Sequence, residues 1–116
     1  MLGKNWNDGV IKMGAFRIPK PENHEENPAA FYARVCGRVQ GVGFRYSAIL
    51  EARRLGVNGW VRNAANGDVE VWAEGRPENL AQFFAWLNRG PRFARVDSVE
   101  RKDKEPKGYR DFDVEH

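Results

Sequence analysis

The chain has 116 residues, of which 41% are hydrophobic and 30% are charged, and these values are ordinary for one soluble globular domain. Nineteen Lys and Arg residues against sixteen Asp and Glu residues leave a formal charge of +3, which is a weak bias toward anionic partners. The single cysteine, Cys36, excludes a disulfide scaffold and a four-cysteine zinc site. No run of about 18 apolar residues is available to span a membrane, and residues 1–10 lack a signal-type apolar block. We therefore expect a soluble cytoplasmic monomer without a membrane partner.

The first part of the chain, residues 1–29, differs in composition from the rest. It is rich in Asn, Gly, Pro, Lys and Glu, and Pro19, Pro21 and Pro28 would interrupt any long helix or strand. Chain termini of this kind are usually irregular. We predict a mostly irregular N-terminal extension over residues 1–29, with a partner-binding arm as the alternative, followed by one domain over residues 30–116.

A strand, a glycine-rich loop and a helix open the regular part of the chain. Alternating side chains predict a strand over Ala30–Arg38. The loop that follows leads into a predicted helix over Phe44–Leu55, whose apolar residues recur every three or four positions. Gly56 is the expected stop of this helix, since glycine readily adopts the left-handed conformation that ends helices.

The second half of the pattern contains the remaining strands and one further helix. Val57–Asn63 and Val69–Glu74 read as two strands joined by an Asn66-Gly67 turn, which is a strong hairpin signal. In the second of these strands, alternation places Val69, Val71 and Ala73 inward and leaves three residues facing outward: Glu70, Trp72 and Glu74. A helix beginning at Pro77 and ended by Gly90-Pro91 follows. Two more strands are predicted over Ala94–Lys102 and Tyr109–Glu115.

The element order βαββαβ, with one added short strand, predicts an α+β fold of the ferredoxin-like type. This fold is a sandwich of one mostly antiparallel sheet with two helices on one face. The right-handed crossover through the first helix should leave the first two strands parallel, so their carboxyl ends meet at one edge of the sheet. The glycine-rich loop and Asn63 should therefore lie close together.

The loop Gly37–Phe44 has the features of an anion-binding cradle. Glycines at Gly41 and Gly43 let the backbone turn with positive φ, so that the amides of Gly41, Val42, Gly43 and Phe44 can point toward one spot. The N-terminus of the following helix adds its positive dipole end, and Arg45 in its first turn can reach back to the same place. A tight turn with a surface arginine is an equally simple interpretation of the spacing. The GxxxxGK[ST] pattern of nucleotide-binding loops is absent.

The segment Gly37–Arg45 (GRVQGVGFR), followed by GWVRN at Gly59–Asn63 and the Asn66-Gly67 turn, resembles the acylphosphatase family. The resemblance extends from about Phe31 to Glu115, and residues 1–30 are longer than the lead-in usual for the family. It implies a ferredoxin-like enzyme that hydrolyses the carboxyl–phosphate bond of small acyl phosphates without a metal or other cofactor. It also implies that Arg45 and Asn63 are the catalytic residues, with Asn63 positioning the attacking water. The implied phosphate site, which inorganic phosphate or sulfate could also occupy, comprises Gln40, Gly41, Val42, Gly43, Phe44 and Arg45.

The main alternative is an RNA-binding module, because RNA-recognition domains share the βαββαβ order. Against it, the strand around Trp72 is acidic and lacks the basic-aromatic pattern of RNA-binding strands, so we expect no nucleic-acid partner. A second alternative is the acylphosphatase-like domain of the much longer hydrogenase-maturation proteins. We expect His24 and His116 to lie away from the loop as bystanders, and Cys36 to be structural because no histidine is placed to activate it. Arg38 and Arg62 flank the loop and could raise the local potential, although a solvated surface role is as plausible.

Overall fold

The computed structural model describes residues 27–116. The predicted extension over residues 1–29, including His24, falls outside the described residues except for its last three positions. Its irregular character and the boundary after residue 29 therefore stay predictions. The described chain enters its first strand at Ala29.

The described residues form five strands and two helices in the predicted order, and the predicted elements lie within two residues of their expected bounds except for the last strand, which begins three residues later than expected. The elements are β1 (Ala29–Arg38), α1 (Phe44–Leu55), β2 (Asn58–Asn63), β3 (Val69–Gly75), α2 (Pro77–Arg89), β4 (Arg95–Lys104) and, three residues long, β5 (Phe112–Val114). Gly56 ends α1 in the left-handed conformation, at φ 70°, and its amide donates to the carbonyl oxygens of Ala52 and Arg53. Neither helix is long and apolar enough to cross a membrane.

The five strands form one sheet in the order β4-β1-β3-β2-β5. β1 and β2 are both antiparallel to β3, which lies between them, so they run parallel to each other as the crossover rule predicts. The sheet is antiparallel apart from the pairing of β2 with β5, which is parallel. This arrangement confirms the ferredoxin-like fold and brings the carboxyl ends of β1, β2 and β5 to one edge.

Both helices pack their apolar stripes against one face of the sheet. Phe83 from α2 contacts Phe112 of β5 edge to face, with ring centroids 5.6 Å apart, so the short last strand is held by the common core. Each fully buried aromatic or aliphatic side chain contributes about 1.5–3 kcal/mol to folding by leaving water. The buried helical residues are Phe44, Ala48, Ala52 and Leu55 in α1 and Leu80, Phe83 and Leu87 in α2.

The other face of β3 is covered, although the alternation pattern marked its residues only as outward. Glu70, Trp72 and Glu74 do point away from the helices, but only 9%, 6% and 4% of their surfaces are exposed. Tyr32 Oη donates to Glu70 at 2.6 Å and Arg62 Nε donates to the same carboxylate at 2.7 Å. These hydrogen bonds hold the pKa of Glu70 below its ordinary value.

The Glu74 carboxylate also accepts several hydrogen bonds. It accepts from Trp72 Nε1 at 2.8 Å and from the backbone amides of Lys107, Gly108 and Tyr109. Burial raises the pKa of Glu74, but these donors together outweigh burial, so its pKa is lowered. Alternation alone could not show this burial, because the cover comes from neighbouring strands and from the segment after β4.

Candidate active site

The loop between β1 and α1 has the backbone conformation of an anion cradle. Gly41 and Gly43 have φ values of 76° and 81°, and Gly43 is the N-cap of α1. A Cβ at either glycine would meet no atom within 4 Å. Glycine is therefore required there by the left-handed backbone conformation rather than by a lack of space.

Several backbone amides of this loop make no hydrogen bond with the rest of the described residues. The amides of Gly41, Val42 and Gly43 donate to no acceptor within residues 27–116, and the first bond of α1 is from Ser47 N–H to Gly43 O at 3.0 Å. The N–H groups of the first helical turn have no partner inside a helix. Together with the helix dipole, these donors make a site suited to a phosphoryl group or another anion.

One cavity of about 380 Å³ lies where the loop, α1 and the carboxyl ends of β2 and β5 meet. It brings together five of the seven predicted site residues, namely Gly41, Gly43, Phe44, Arg45 and Asn63, but not Gln40 and Val42. The proximity of the loop and Asn63, expected from the parallel β1 and β2, is thus observed. The complete lining is Val39, Gly41, Gly43, Phe44, Arg45, Tyr46, Ile49, Asn63, Val114 and His116.

Arg45 and Asn63 are both free to meet a ligand. Neither side chain has a hydrogen bond or ion pair with any other residue between 27 and 116. Arg62, one of the flanking arginines, is by contrast committed to Glu70, with a nitrogen–oxygen distance of 2.7 Å, and lies 3.6 Å from Glu115. The sheet edge therefore carries one uncommitted guanidinium and one uncommitted amide within the same cavity.

The side chain of Gln40, the first residue of the predicted phosphate site, reaches the turn that follows β2. Its side-chain Nε2 donates to the carbonyl oxygens of Ala64 and Asp68, both at 2.8 Å. These carbonyls belong to the turn that directly follows Asn63 in β2. The Gln40 side chain thus ties the glycine-rich loop to the segment carrying Asn63, a role that spacing in the sequence did not reveal.

His116 lines the cavity, so the expectation that it lies away from the loop is wrong. The cause is the parallel pairing of β5 with β2, in which Val61 faces Val114 and the amide of Glu115 donates to Val61 O at 2.9 Å. Continuing this register by two residues places His116 beside Asn63. The sequence contained the last strand but no signal for its partner. Val114, which also lines the cavity, was missed for the same reason. Tyr46 and Ile49 were missed as well, although their helical spacing from Arg45 could have indicated them.

The other chemistry-bearing residues do not join the cavity. Cys36 is a free, partly buried thiol and is not among the lining residues. No group of three or more His, Cys, Asp and Glu side chains within the described residues is arranged to hold a metal ion. The donors that the cavity offers are backbone amides, one guanidinium, one carboxamide, one imidazole and one phenol.

The fold and this cavity together define a ferredoxin-like α+β protein with a glycine-rich loop at the start of its first helix. The acylphosphatase family model matches residues 31–114, and the chain belongs to the acylphosphatase family. An acylphosphatase of Thermococcus kodakarensis is 52% identical over 83 residues, which are 72% of this chain and 91% of that protein.

Solved structures of acylphosphatases are also similar to this chain. An acylphosphatase from Coxiella burnetii superposes with a TM-score of 0.75 at 37% identity, covering 78% of this chain and 96% of that one. HypF of Thermococcus kodakarensis matches with a TM-score of 0.67 at 33% identity over 76% of this chain, but over only 12% of its own length. The similarity to HypF is therefore to one region of a much longer protein. Nothing in the comparisons favours the RNA-binding alternative.

Proposed function

We propose that the chain hydrolyses the carboxyl–phosphate bond of acyl phosphates by metal-independent, in-line attack of water at the Gln40–Arg45 loop. The observation that carries the proposal is the uncommitted pair formed by Arg45 and Asn63, which line one cavity beside unpaired backbone amides. Membership of the acylphosphatase family supplies the reaction class. The residue roles follow from the chemistry each group can perform.

The loop and Arg45 bind and stabilise the phosphoryl group. In the transition state of phosphoryl transfer, negative charge spreads over the equatorial oxygens of a loose, metaphosphate-like species. Amides held by the left-handed Gly41 and Gly43 are fixed before the reaction, so they stabilise that charge without reorganising. The guanidinium of Arg45 adds a bidentate, charge-assisted contact, which a lysine could not reproduce.

Asn63 positions the attacking water. Its carboxamide oxygen can accept a hydrogen bond from a water molecule and hold that water in line with phosphorus. A carboxamide does not take up a proton near neutral pH, so Asn63 orients the water and is not a general base. In this proposal the phosphate of the substrate itself accepts the proton.

The leaving group explains why no general acid is needed. A carboxylic acid ionises with a pKa of about 4, similar to glutamic acid, so it departs as a carboxylate at neutral pH without being protonated. An alkoxide leaving group would need a proton donor. We therefore expect acyl phosphates to be hydrolysed much faster than alkyl phosphate monoesters.

The test is hydrolysis of benzoyl phosphate in excess EDTA by the unaltered chain and by Arg45→Gln, Arg45→Lys and Asn63→Ala. The unaltered chain should keep its full rate in EDTA. Asn63→Ala should lose about 100-fold or more in kcat with little change in KM, because it removes positioning of the nucleophile. Both Arg45 variants should have a lower kcat and should be inhibited less strongly by inorganic phosphate. Arg45→Lys should lose less activity than Arg45→Gln.

Matched controls separate the site from general effects on folding. Asn88 and Arg92 are exposed residues outside the cavity, so Asn88→Ala and Arg92→Gln should keep normal activity. Full activity of folded Asn63→Ala would refute the water-positioning role. Loss of activity in EDTA that returns with a divalent ion would refute metal independence.

The proposal also includes the cellular location and the oligomeric state of the enzyme. We place it in the cytoplasm as a monomer, which agrees with the free thiol of Cys36, since unpaired cysteines are usual in reducing compartments. Inorganic phosphate or sulfate should compete with substrate for the loop. Cell fractionation and sedimentation equilibrium test location and oligomeric state directly.

A further inference from the structure

The cavity beside the cradle has a second, apolar side that the phosphoryl group does not use. Tyr46 and Ile49 come from the first turns of α1, directly after Arg45, and Val114 comes from the edge strand β5. Helical side chains lean toward the N-terminus of their helix, so Tyr46 and Ile49 lean toward the loop. The mouth of the site is therefore bounded by a wall of an aromatic and two aliphatic side chains.

Tyr46 and Phe93 are the two most exposed aromatic residues of the described part of the chain, and of these two only Tyr46 lines the cavity. Its side chain is 69% exposed, and its hydroxyl has no hydrogen-bond partner among the described residues. A large ring left in water at the rim of a site is available to cover an apolar ligand group. Ile49 is partly buried and packs against the hydrophobic core, so its position at the cavity is fixed by this packing.

Charge at the cavity is limited to the polar side. Arg45 is the only Lys or Arg among the described residues that line the cavity, and the phosphoryl group occupies it in the proposed function. Apart from the imidazole of His116, an acyl group carrying its own carboxylate or phosphate would find no second nitrogen base there, and no second guanidinium or ammonium. An uncharged aromatic or branched aliphatic acyl group would instead find a matching surface.

We propose that Tyr46, Ile49 and Val114 form an acyl-group subsite that selects apolar acyl phosphates over small or doubly charged ones. The inference rests on the proposed function, because the scissile phosphoryl group must lie in the loop for the acyl group to reach this wall. The bond broken is still that between phosphorus and the acyl oxygen, and water still supplies the new oxygen on phosphate. The subsite adds binding energy remote from the reacting atoms.

The experiment measures kcat/KM for acetyl, benzoyl and succinyl phosphate in the unaltered chain, Tyr46→Ala, Ile49→Ala and Leu50→Ala. Leu50 is the matched control, since it is 51% exposed on the same helix but does not line the cavity. The quantity compared is the benzoyl-to-acetyl ratio of kcat/KM in each variant divided by that of the unaltered chain. This double ratio cancels the different intrinsic reactivities of the two acyl phosphates.

We expect the double ratio to fall about fivefold in Tyr46→Ala, which corresponds to losing about 40 Å² of apolar contact, and by a similar factor in Ile49→Ala. Leu50→Ala should leave it unchanged, and succinyl phosphate should be the poorest substrate of the unaltered chain. Inhibition by inorganic phosphate should stay constant in all variants, because the cradle is intact.

A double ratio near one in both Tyr46→Ala and Ile49→Ala would overturn the subsite while leaving the proposed function standing. An equal fall in Leu50→Ala would also overturn it, since the effect would then come from the helix and not from the wall. Failure of the proposed function has a different signature, namely no hydrolysis of acetyl phosphate by the unaltered chain.

Discussion

Replacing Gln40 by methionine removes the link between the cradle and the turn after β2 while keeping the length of the side chain. The Gln40 amide donates to the carbonyl oxygens of Ala64 and Asp68, both at 2.8 Å. Each carbonyl keeps one other donor, since Gly67 N–H donates to Ala64 O and Ala64 N–H donates to Asp68 O. The variant therefore loses two hydrogen bonds but leaves neither acceptor without a partner.

The loss of two hydrogen bonds sets the expected loss of stability. At about 1 kcal/mol for each net hydrogen bond, Gln40→Met should lower the free energy of unfolding by about 2 kcal/mol. For a domain of this size the change corresponds to a fall in Tm of about 10 °C and in the urea midpoint of about 1–2 M. Because the loop and Asn63 would no longer be held together, kcat for benzoyl phosphate should fall about tenfold.

The assay combines urea unfolding, followed by tryptophan fluorescence, with steady-state hydrolysis at a temperature where the variant is fully folded. Gln82→Met is the matched control, because Gln82 is exposed on α2 and makes no hydrogen bond with other described side chains. An unchanged urea midpoint in Gln40→Met would refute the stabilising role. A lowered midpoint with an unchanged kcat would refute the positioning role alone.

Two further predictions concern the sheet. Gly59→Ala should destabilise the fold by about 3 kcal/mol or more, because its Cβ would lie 1.8 Å from a carbonyl oxygen of β3 at a φ of 139°. Gly67→Ala, at a φ of 99° but with open space around the Cβ, should cost only about 1–2 kcal/mol in the same urea titration. Hydrogen bonds from Tyr32 and Arg62 lower the pKa of Glu70, so its contribution to stability is present above its ordinary pKa of 4.5 and is lost as pH falls through the lowered value. Glu70→Gln should therefore show a shallower loss of stability between pH 5 and pH 3 than the unaltered chain, and equal slopes would contradict the assignment.

The order of elements and the backbone conformation of the loop before α1 could be predicted from the sequence because their causes are local. Helix α1 begins after Gly43 and ends at Gly56, and both glycines adopt the positive φ that their positions predicted. The apolar spacing in α1 and α2 marked the faces that meet the sheet. The nearness of Arg45 and Asn63 also followed, because a right-handed crossover allows only one placement of β2 relative to β1.

The outer face of the sheet could not be predicted in the same way. Alternation correctly separated the two faces of β3, but it did not show that Glu70, Trp72 and Glu74 are buried on the face turned away from the helices. Their cover is supplied by Tyr32 on β1, by Arg62 on β2 and by the loop after β4. A period of two reports which face a residue occupies, but not what lies on that face.

By itself, then, the sequence determined a ferredoxin-like fold and the positive-φ glycines of the loop before α1, because periodicity, glycine positions and chain handedness act over short distances along the chain. Only the tertiary structure decided which residues complete the cavity. Val114 and His116 reach it because β5 pairs in parallel with β2, some fifty residues earlier in the chain. The structure also showed that the Gln40 side chain links the loop to the turn after β2, a contact between segments distant along the chain. Such pairings are set by the packing of the whole domain and leave no local pattern in the sequence.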